Sequence, residues 1–237
     1  MKIILGALAA ASMALIGGIL ISSPGKAATL GCSGVIMGGM AATKTDSAID
    51  TNMLSGTTMN VANVSGLGSN GSLIGLGVNC DWRLDSFVLG AFADYQWHNG
   101  QDVTANLGPA AITFGFDRQM TLGGRAGFMV SESTLAYALL GWTKLSSSGV
   151  SGIVTADVPD FTGVVYGGGI ETAISKHIKL GLEYRHANLD GQTVSLSNPM
   201  IPSGGVLTSK FTPEMDSVML RLSVGTEFFG PPSASMK

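Results

Sequence analysis

Beyond residue 32 the chain alternates apolar and polar positions with a two-residue period, in stretches about ten residues long. The clearest stretch runs from Phe87 to His98. Phe87, Leu89, Ala91, Ala93, Tyr95 and Trp97 share one side, while Val88, Gly90, Phe92, Asp94, Gln96 and His98 share the other. Successive side chains of a β-strand point to opposite faces, so this period predicts a two-faced strand. The same device recurs from Ile178 to Ala187, where Ile178, Leu180, Leu182 and Tyr184 oppose Lys179, Gly181, Glu183 and Arg185. Eight strands are predicted, at 33–42, 71–81, 87–98, 120–130, 135–146, 163–174, 178–187 and 216–229. The stretches at 33–42 and 135–146 alternate less cleanly and are assigned mainly by position.

The connections between these strands, about 28, 5, 21, 4, 16, 3 and 28 residues, alternate long and tight. An up-and-down barrel in an outer membrane has this pattern, with short periplasmic turns, long outer loops and an even strand number. A tilted strand crosses the apolar layer in about 9–11 residues, which the predicted strands supply. The expected fold is therefore all-β, an eight-stranded antiparallel up-and-down transmembrane β-barrel. A soluble secreted barrel would show the same period and is the rival. Tyr95, Trp97, Trp142, Tyr184, Trp82 and Phe228 lie toward strand ends, where interfacial aromatic girdles sit.

Composition sharpens the choice. Charged residues are 12% and hydrophobic residues 45% of the 237, with 34 glycines and a net charge of −3. So few charges would solvate a secreted domain poorly. An acidic balance gives no reason to expect nucleic acid as a partner. At the N-terminus, Lys2 precedes an apolar run from Ile3 to Ile21 that exits through Ser22, Ser23, Pro24, Gly25, Lys26 and Ala27. These are the parts of a secretory signal. The expected organisation is a signal peptide at 1–27, a barrel domain at 28–229 and a tail at 230–237. A retained anchor is the alternative for the first segment, since 19 apolar residues can span a bilayer.

Several segments also resemble a known family. They are Cys32-Ser-Gly-Val-Ile-Met-Gly-Gly39, Ser72 to Trp82, Val88 to Trp97, Leu122 to Phe128, Tyr166 to Glu171 and Leu180 to Arg185. In this order they are similar to strands of small outer-membrane barrels, the OmpA-like and opacity-type surface proteins of alphaproteobacteria. The resemblance implies an outer-membrane β-barrel domain over most of 32–229. Two departures stand out: Cys32 occupies a position usually held by Trp, and residues 230–237 follow Phe229, where the family usually ends on an aromatic.

No catalytic residue, cofactor or metal ligand is expected. His98, His177 and His186 fall on separate strand ends and a tight turn, and no phosphate loop or nucleophile elbow is present. The inward faces instead carry Asp94, Glu171, Glu183 and Glu227 against Arg125, Lys179, Arg185 and Arg221. Eight strands enclose a lumen that side chains can fill, so these eight read as a neutralised internal network. The alternative is a narrow path for ions or solutes. Cys32 and Cys80 fall on the outward parity of two neighbouring strands at the periplasmic end. They read either as a disulfide in an oxidising compartment or as two small apolar residues at the membrane rim.

In the predicted outer loops, Asp46, Asp50, Asp102, Asp117, Asp157, Asp160, Asp190 and Glu214 outnumber Lys44, Arg118 and Lys210. They read as a hydrated surface, or as one that binds lipopolysaccharide through bridging divalent cations or contacts a host. The function expected is a non-enzymatic structural and surface role in the outer membrane. Its partners would be outer-membrane lipid and lipopolysaccharide, the barrel assembly machinery and ligands of the outer loops. The alternatives are a small-solute channel and, third, a soluble binding barrel.

Overall fold

The computed structural model describes residues 29–52, 58–107, 110–152, 159–196 and 206–225. Ten strands follow in chain order: β1 (Thr29–Asn52), β2 (Thr58–Leu84), β3 (Phe87–Asn99), β4 (Asp102–Leu107), β5 (Ala110–Met129), β6 (Thr134–Gly152), β7 (Phe161–Ala173), β8 (Ile178–Leu189), β9 (Gln192–Leu196) and β10 (Val206–Gly225). Eight of them close a barrel in the order β1-β2-β3-β5-β6-β7-β8-β10, and β10 pairs back onto β1. The short strands β4 and β9 prolong β3 and β8 on the outer side and pair only with β5 and β10.

The stagger of the barrel follows from its register. Cys32 pairs with Cys80, Cys80 with Ala91, Ala91 with Gly124, Gly124 with Leu140, Leu140 with Tyr166, Tyr166 with His186, His186 with Asp216 and Asp216 with Ala42. One circuit thus returns to β1 ten residues further on, 42 minus 32, so the shear number is ten. With about 3.3 Å per residue along a strand and about 4.8 Å between strands, that stagger tilts the strands about 40° from the barrel axis.

Outward positions form an apolar belt. It runs over Ile74–Leu84, Phe87–Trp97, Met120–Val130 and Val164–Ile174, with Leu182, Ile170 and Leu220 in its middle at 54%, 56% and 59% exposure. Each of these stretches is eleven residues, which at this tilt covers about 28 Å, the thickness of a bilayer's hydrocarbon core. At its outer edge stand Trp97, Trp142, Tyr166 and Tyr184; at its inner edge stand Trp82, Phe87 and Phe128.

The strands differ from expectation at their outer ends. β1 and β2 continue to Asn52 and Thr58, through a stretch expected to be loop, and β6 and β10 also run further outward. Lys44, Asp46, Asp50, Asp102, Asp117, Arg118, Lys210 and Glu214 therefore lie on strands. The reason is a change of solvent. Beyond the belt the outer face meets water, so outward positions turn polar, and the inward positions become the apolar ones. On β8 the apolar residues pass from outward Ile178, Leu180, Leu182 and Tyr184 to inward Ala187 and Leu189; on β10 inward Met215 and Phe211 lie above outward Val218, Leu220 and Leu222. The alternation persists, but the hydrophobic side changes, and a search for one continuous stripe ends there.

The periplasmic turns are tight. Asp85 takes a left-handed conformation (φ 61°), which aspartate tolerates, between Leu84 and Phe87. Cys32 and Cys80 are joined by a disulfide on the outer side of the β1–β2 pair at this end. The expected signal segment 1–27, the end of the last predicted strand (226–229) and the tail 230–237 lie outside the described residues.

Candidate functional site

The lumen is filled in three layers, and charge occupies most of the membrane depth. Asp94, Arg125, Glu171, Lys179, Glu183, Arg185 and Arg221 all point inward and are buried; Glu227 lies outside the described residues. They fall into two groups. Nearer the periplasm, Arg125 donates from Nε to Asp81 Oδ1 at 2.8 Å, pairs through Nη2 with Asp81 Oδ2, and reaches Glu171 at 3.3 Å. Lys179 pairs with Glu171 and lies 3.9 Å from Asp81. Higher up, Arg185 grips Asp94 through two bonds of 3.0 and 2.6 Å and donates from Nε to Glu183 at 2.7 Å. Arg221 pairs with Glu183 and donates to Asn79 at 3.1 Å.

Tyr137 joins the two groups. Its hydroxyl donates to Glu183 at 2.6 Å, and the Arg125 guanidinium lies 4.9 Å from its ring centroid. The four carboxylates Asp81, Asp94, Glu171 and Glu183 balance the four cations Arg125, Lys179, Arg185 and Arg221. Buried charge is tolerable only when paired and hydrogen-bonded, and each of the eight has an oppositely charged neighbour.

Sequence reasoning missed Asp81, Asn79 and Tyr137 as members of this set. Asp81 has the same parity as Asn79 and Gly77, opposite the lipid-facing Ile74, Leu76 and Val78, so the signal for it was present. The role of Gly90 was missed too, whereas Gly167-Gly168-Gly169 reads from the sequence as packing space within a strand. Asp81, Gly90 and Arg125 form one cross-strand row over β2, β3 and β5, and a Cβ at Gly90 would fall 2.1 Å from Asp81 Oδ1. Glu183, Gly169 and Tyr137 repeat the arrangement over β8, β7 and β6, where a Cβ would fall 2.7 Å from the Tyr137 hydroxyl. In each row the missing side chain is the space through which two long polar groups meet.

The periplasmic end carries a small pocket, little larger than one water, lined by Asp81, Arg83, Val88, Met129, Leu135, Glu171 and Lys179. Above the charges lies a short uncharged ladder. Gln119 donates to Thr143 at 2.9 Å and its Oε1 lies 3.2 Å from His98 Nε2. The third layer is apolar: Phe116, Leu145, Phe161, Val165, Leu189 and Met215 pack together above the outer aromatics, with Phe116 and Phe161 edge to face at 6.0 Å. Gln101 is buried beside it and accepts a bond from Thr43 at 3.1 Å. Leu145, Phe161 and Val165 have no exposure to solvent, so the outer mouth is stoppered.

The histidines stay apart. His98 is in the lumen, His177 in the β7–β8 turn, and His186 on the outer wall. His186 Nδ1 lies 2.8 Å from Asp216, which also accepts a bond of 2.6 Å from the Tyr184 hydroxyl. The Asp216 bond raises the His186 pKa, while the bonds from Tyr184 and His186 lower that of Asp216. On the same rim Lys144 pairs with Asp160 at 2.8 Å and lowers that carboxyl's pKa.

A closed barrel with a lipid-facing belt outside and a matched set of charges inside is a transmembrane β-barrel. The chain belongs to the outer membrane protein beta-barrel domain family, whose model matches residues 30–206, and its place is the outer membrane. This sets aside the soluble barrel. No curated protein matches the chain in sequence. Among solved structures it is similar to the outer membrane protein OprG from Pseudomonas aeruginosa, with 14% identity over 81% of this chain and 95% of that one, at a TM-score of 0.51. The outer membrane protease OmpT from Escherichia coli shares 7% identity over 81% of this chain and 96% of its own, at a TM-score of 0.42. Ail, the attachment invasion locus protein of Yersinia pestis, solved with the heparin analogue sucrose octasulfate, shares 13% over 78% and 98%, at 0.35. The likeness to OprG speaks to the fold alone.

Proposed function

We propose that the protein is a non-enzymatic structural and surface component of the outer membrane, exported by a signal at 1–27 and anchored by a barrel at 28–229. The observation that carries this reading is the filled lumen. Charges matched four against four occupy the membrane depth, and the packed layer of Phe116, Leu145, Phe161, Val165 and Leu189 closes the outer mouth. A solute path would need both layers to part.

In this reading the working surface is the outer extension, a sheet with a polar exterior that carries Lys44, Asp46, Arg118 and Lys144, with Asp160 just before β7. It would meet lipopolysaccharide headgroups, and its outermost connections would meet surface or host ligands. Barrel assembly machinery would insert it. Planar-bilayer recording of the purified protein tests the central point. Steady conductance in the wild type, abolished by a bulky substitution in the lumen, would establish the small-solute channel instead. Silence in the wild type, together with leakage of the envelope to detergents when the protein is deleted from its cell, is the expected result.

A further inference from the structure

We propose that the Cys32–Cys80 disulfide is the register lock of the barrel's seam strand. β1 is where the barrel closes, between β2 and β10. Each of the other seven barrel strands places a side chain in the internal polar network: Asp81 on β2, Asp94 on β3, Arg125 on β5, Tyr137 on β6, Glu171 on β7, Glu183 on β8 and Arg221 on β10. Bonds among these groups fix the seven against one another. β1 faces the lumen with Ser33, Val35, Met37, Gly39 and Ala41, none of them charged. Its first inward side-chain bond, from Thr43 to Gln101, lies above the belt.

Within the belt β1 thus has no charged anchor of its own, and its height rests on its backbone ladders, on apolar packing and on the polar change beyond Met40. A slip of one residue would turn its lipid face inward and is forbidden by the pattern, but a slip of two keeps every residue on its own side. If β1 slides two residues past both neighbours together, the shear number stays at ten, so barrel closure does not oppose the move. The pair is also glycine-rich, with Gly31, Gly34, Gly38 and Gly39 on β1 and Gly71, Gly75 and Gly77 on β2. Glycine-rich strands specify register weakly.

The disulfide supplies the missing anchor. Cys32 and Cys80 are direct cross-strand partners on the outward face at the periplasmic rim, with Cα atoms 4.1 Å apart. A two-residue slide would set Cys32 opposite Val78 or Trp82, and the bond forbids both. It forms when the two thiols pass two electrons and two protons, through a mixed disulfide, to the oxidised dithiol of a periplasmic oxidoreductase.

The test asks where β1 settles without the bond. In Cys32→Ser/Cys80→Ser protein, a reporter cysteine replaces Ile36, and a second replaces Leu76, its partner, or Ile74 or Val78, its partners after a two-residue slide. Each version is refolded under reductant into phosphatidylcholine vesicles, then oxidised and mapped by mass spectrometry. The lock predicts cross-links at Ile74 or Val78 as well as at Leu76. Cross-linking at Leu76 alone overturns it, whatever the folding yield. If the serine variant does not fold, Ile36→Cys/Leu76→Cys is built into it and folded under oxidant, which moves the lock four residues along the same ladder. Recovery of wild-type yield of the heat-modifiable form supports the proposal, and failure to recover ends it.

Discussion

Replacing Arg125 by methionine keeps much of the side-chain volume and removes the cation that lies between Asp81 and Glu171. Arg125 is buried, makes two contacts with Asp81 and a third with Glu171 at 3.3 Å, and covers the Tyr137 ring. After the change two carboxylates share Lys179. At an effective dielectric of about 20, unit charges about 4 Å apart interact by roughly 4 kcal/mol, and breaking one side of a buried pair costs about 3–5 kcal/mol. Arg125→Met should therefore lose about 4 kcal/mol, and Asp81→Asn, which leaves Arg125 with Glu171 alone, about 3 kcal/mol. The double variant leaves Glu171 and Lys179 as a matched pair, so its loss should stay near 4 kcal/mol, a coupling of about 3 kcal/mol, at the top of the range for residues in one network. Urea titration in lipid vesicles, followed by tryptophan fluorescence and by heat-modifiable mobility, reads all four proteins. Losses that add to within about 0.5 kcal/mol would mean that the two residues do not act together, and the network would be only a set of neighbours.

Three further outcomes follow from the same geometry. Leu182→Arg, on the lipid face between Ile170 and Leu220, should cost about 2–4 kcal/mol in the same vesicle titration, and normal stability there would reverse the assigned faces. Gly90→Ala drives a methyl into Asp81 and should cost about 1–3 kcal/mol, whereas Gly124→Ala, whose nearest neighbour is the Gly90 carbonyl oxygen at 3.6 Å, should be close to neutral; equal effects would refute the row arrangement. The His186–Asp216 contact adds a pH dependence. The raised pKa of His186 contributes stability below its ordinary value that is lost as pH rises through the raised one, while the lowered pKa of Asp216 contributes above the ordinary carboxylate range and is lost in acid. Melting of the wild type should therefore fall on the alkaline side of about pH 6.5 more than that of His186→Asn, and parallel profiles would discount the pair.

The membrane-spanning part was legible because lipid and lumen impose opposite chemistry on alternating residues. Phe87–His98 and Ile178–Ala187 show the period over their whole length, and the tight turns at 85–86 and 174–177 divide the strands where the alternation breaks. The outer ends were not legible as strands because the apolar side changes there. Leu145, Leu189 and Phe211 fall on the parity that further down holds Thr143, Arg185 and Arg221. Which charges share the lumen can be read from parity on single strands. Their pairing cannot, because it depends on the stagger around the barrel: Arg125 meets Asp81 two strands away, across Gly90, and Arg185 meets Asp94 from a distant part of the chain. No spacing along one strand encodes that meeting.

The change of hydrophobic side also sets height. Raising or sinking the barrel by one pair of residues would carry either polar rim groups such as Lys144 and Asp160 into hydrocarbon or the outer tryptophans into water, so its depth is held to within a few ångströms. From that fixed level β1 continues twelve residues beyond Met40, to its last rung at Asn52 and Thr58. At about 3.3 Å per residue and about 40° of tilt, the rung stands roughly 30 Å above the outer edge of the hydrocarbon layer. The first hairpin is thus a mast stepped in the membrane. Whatever meets that last rung is met at a constant distance from the cell.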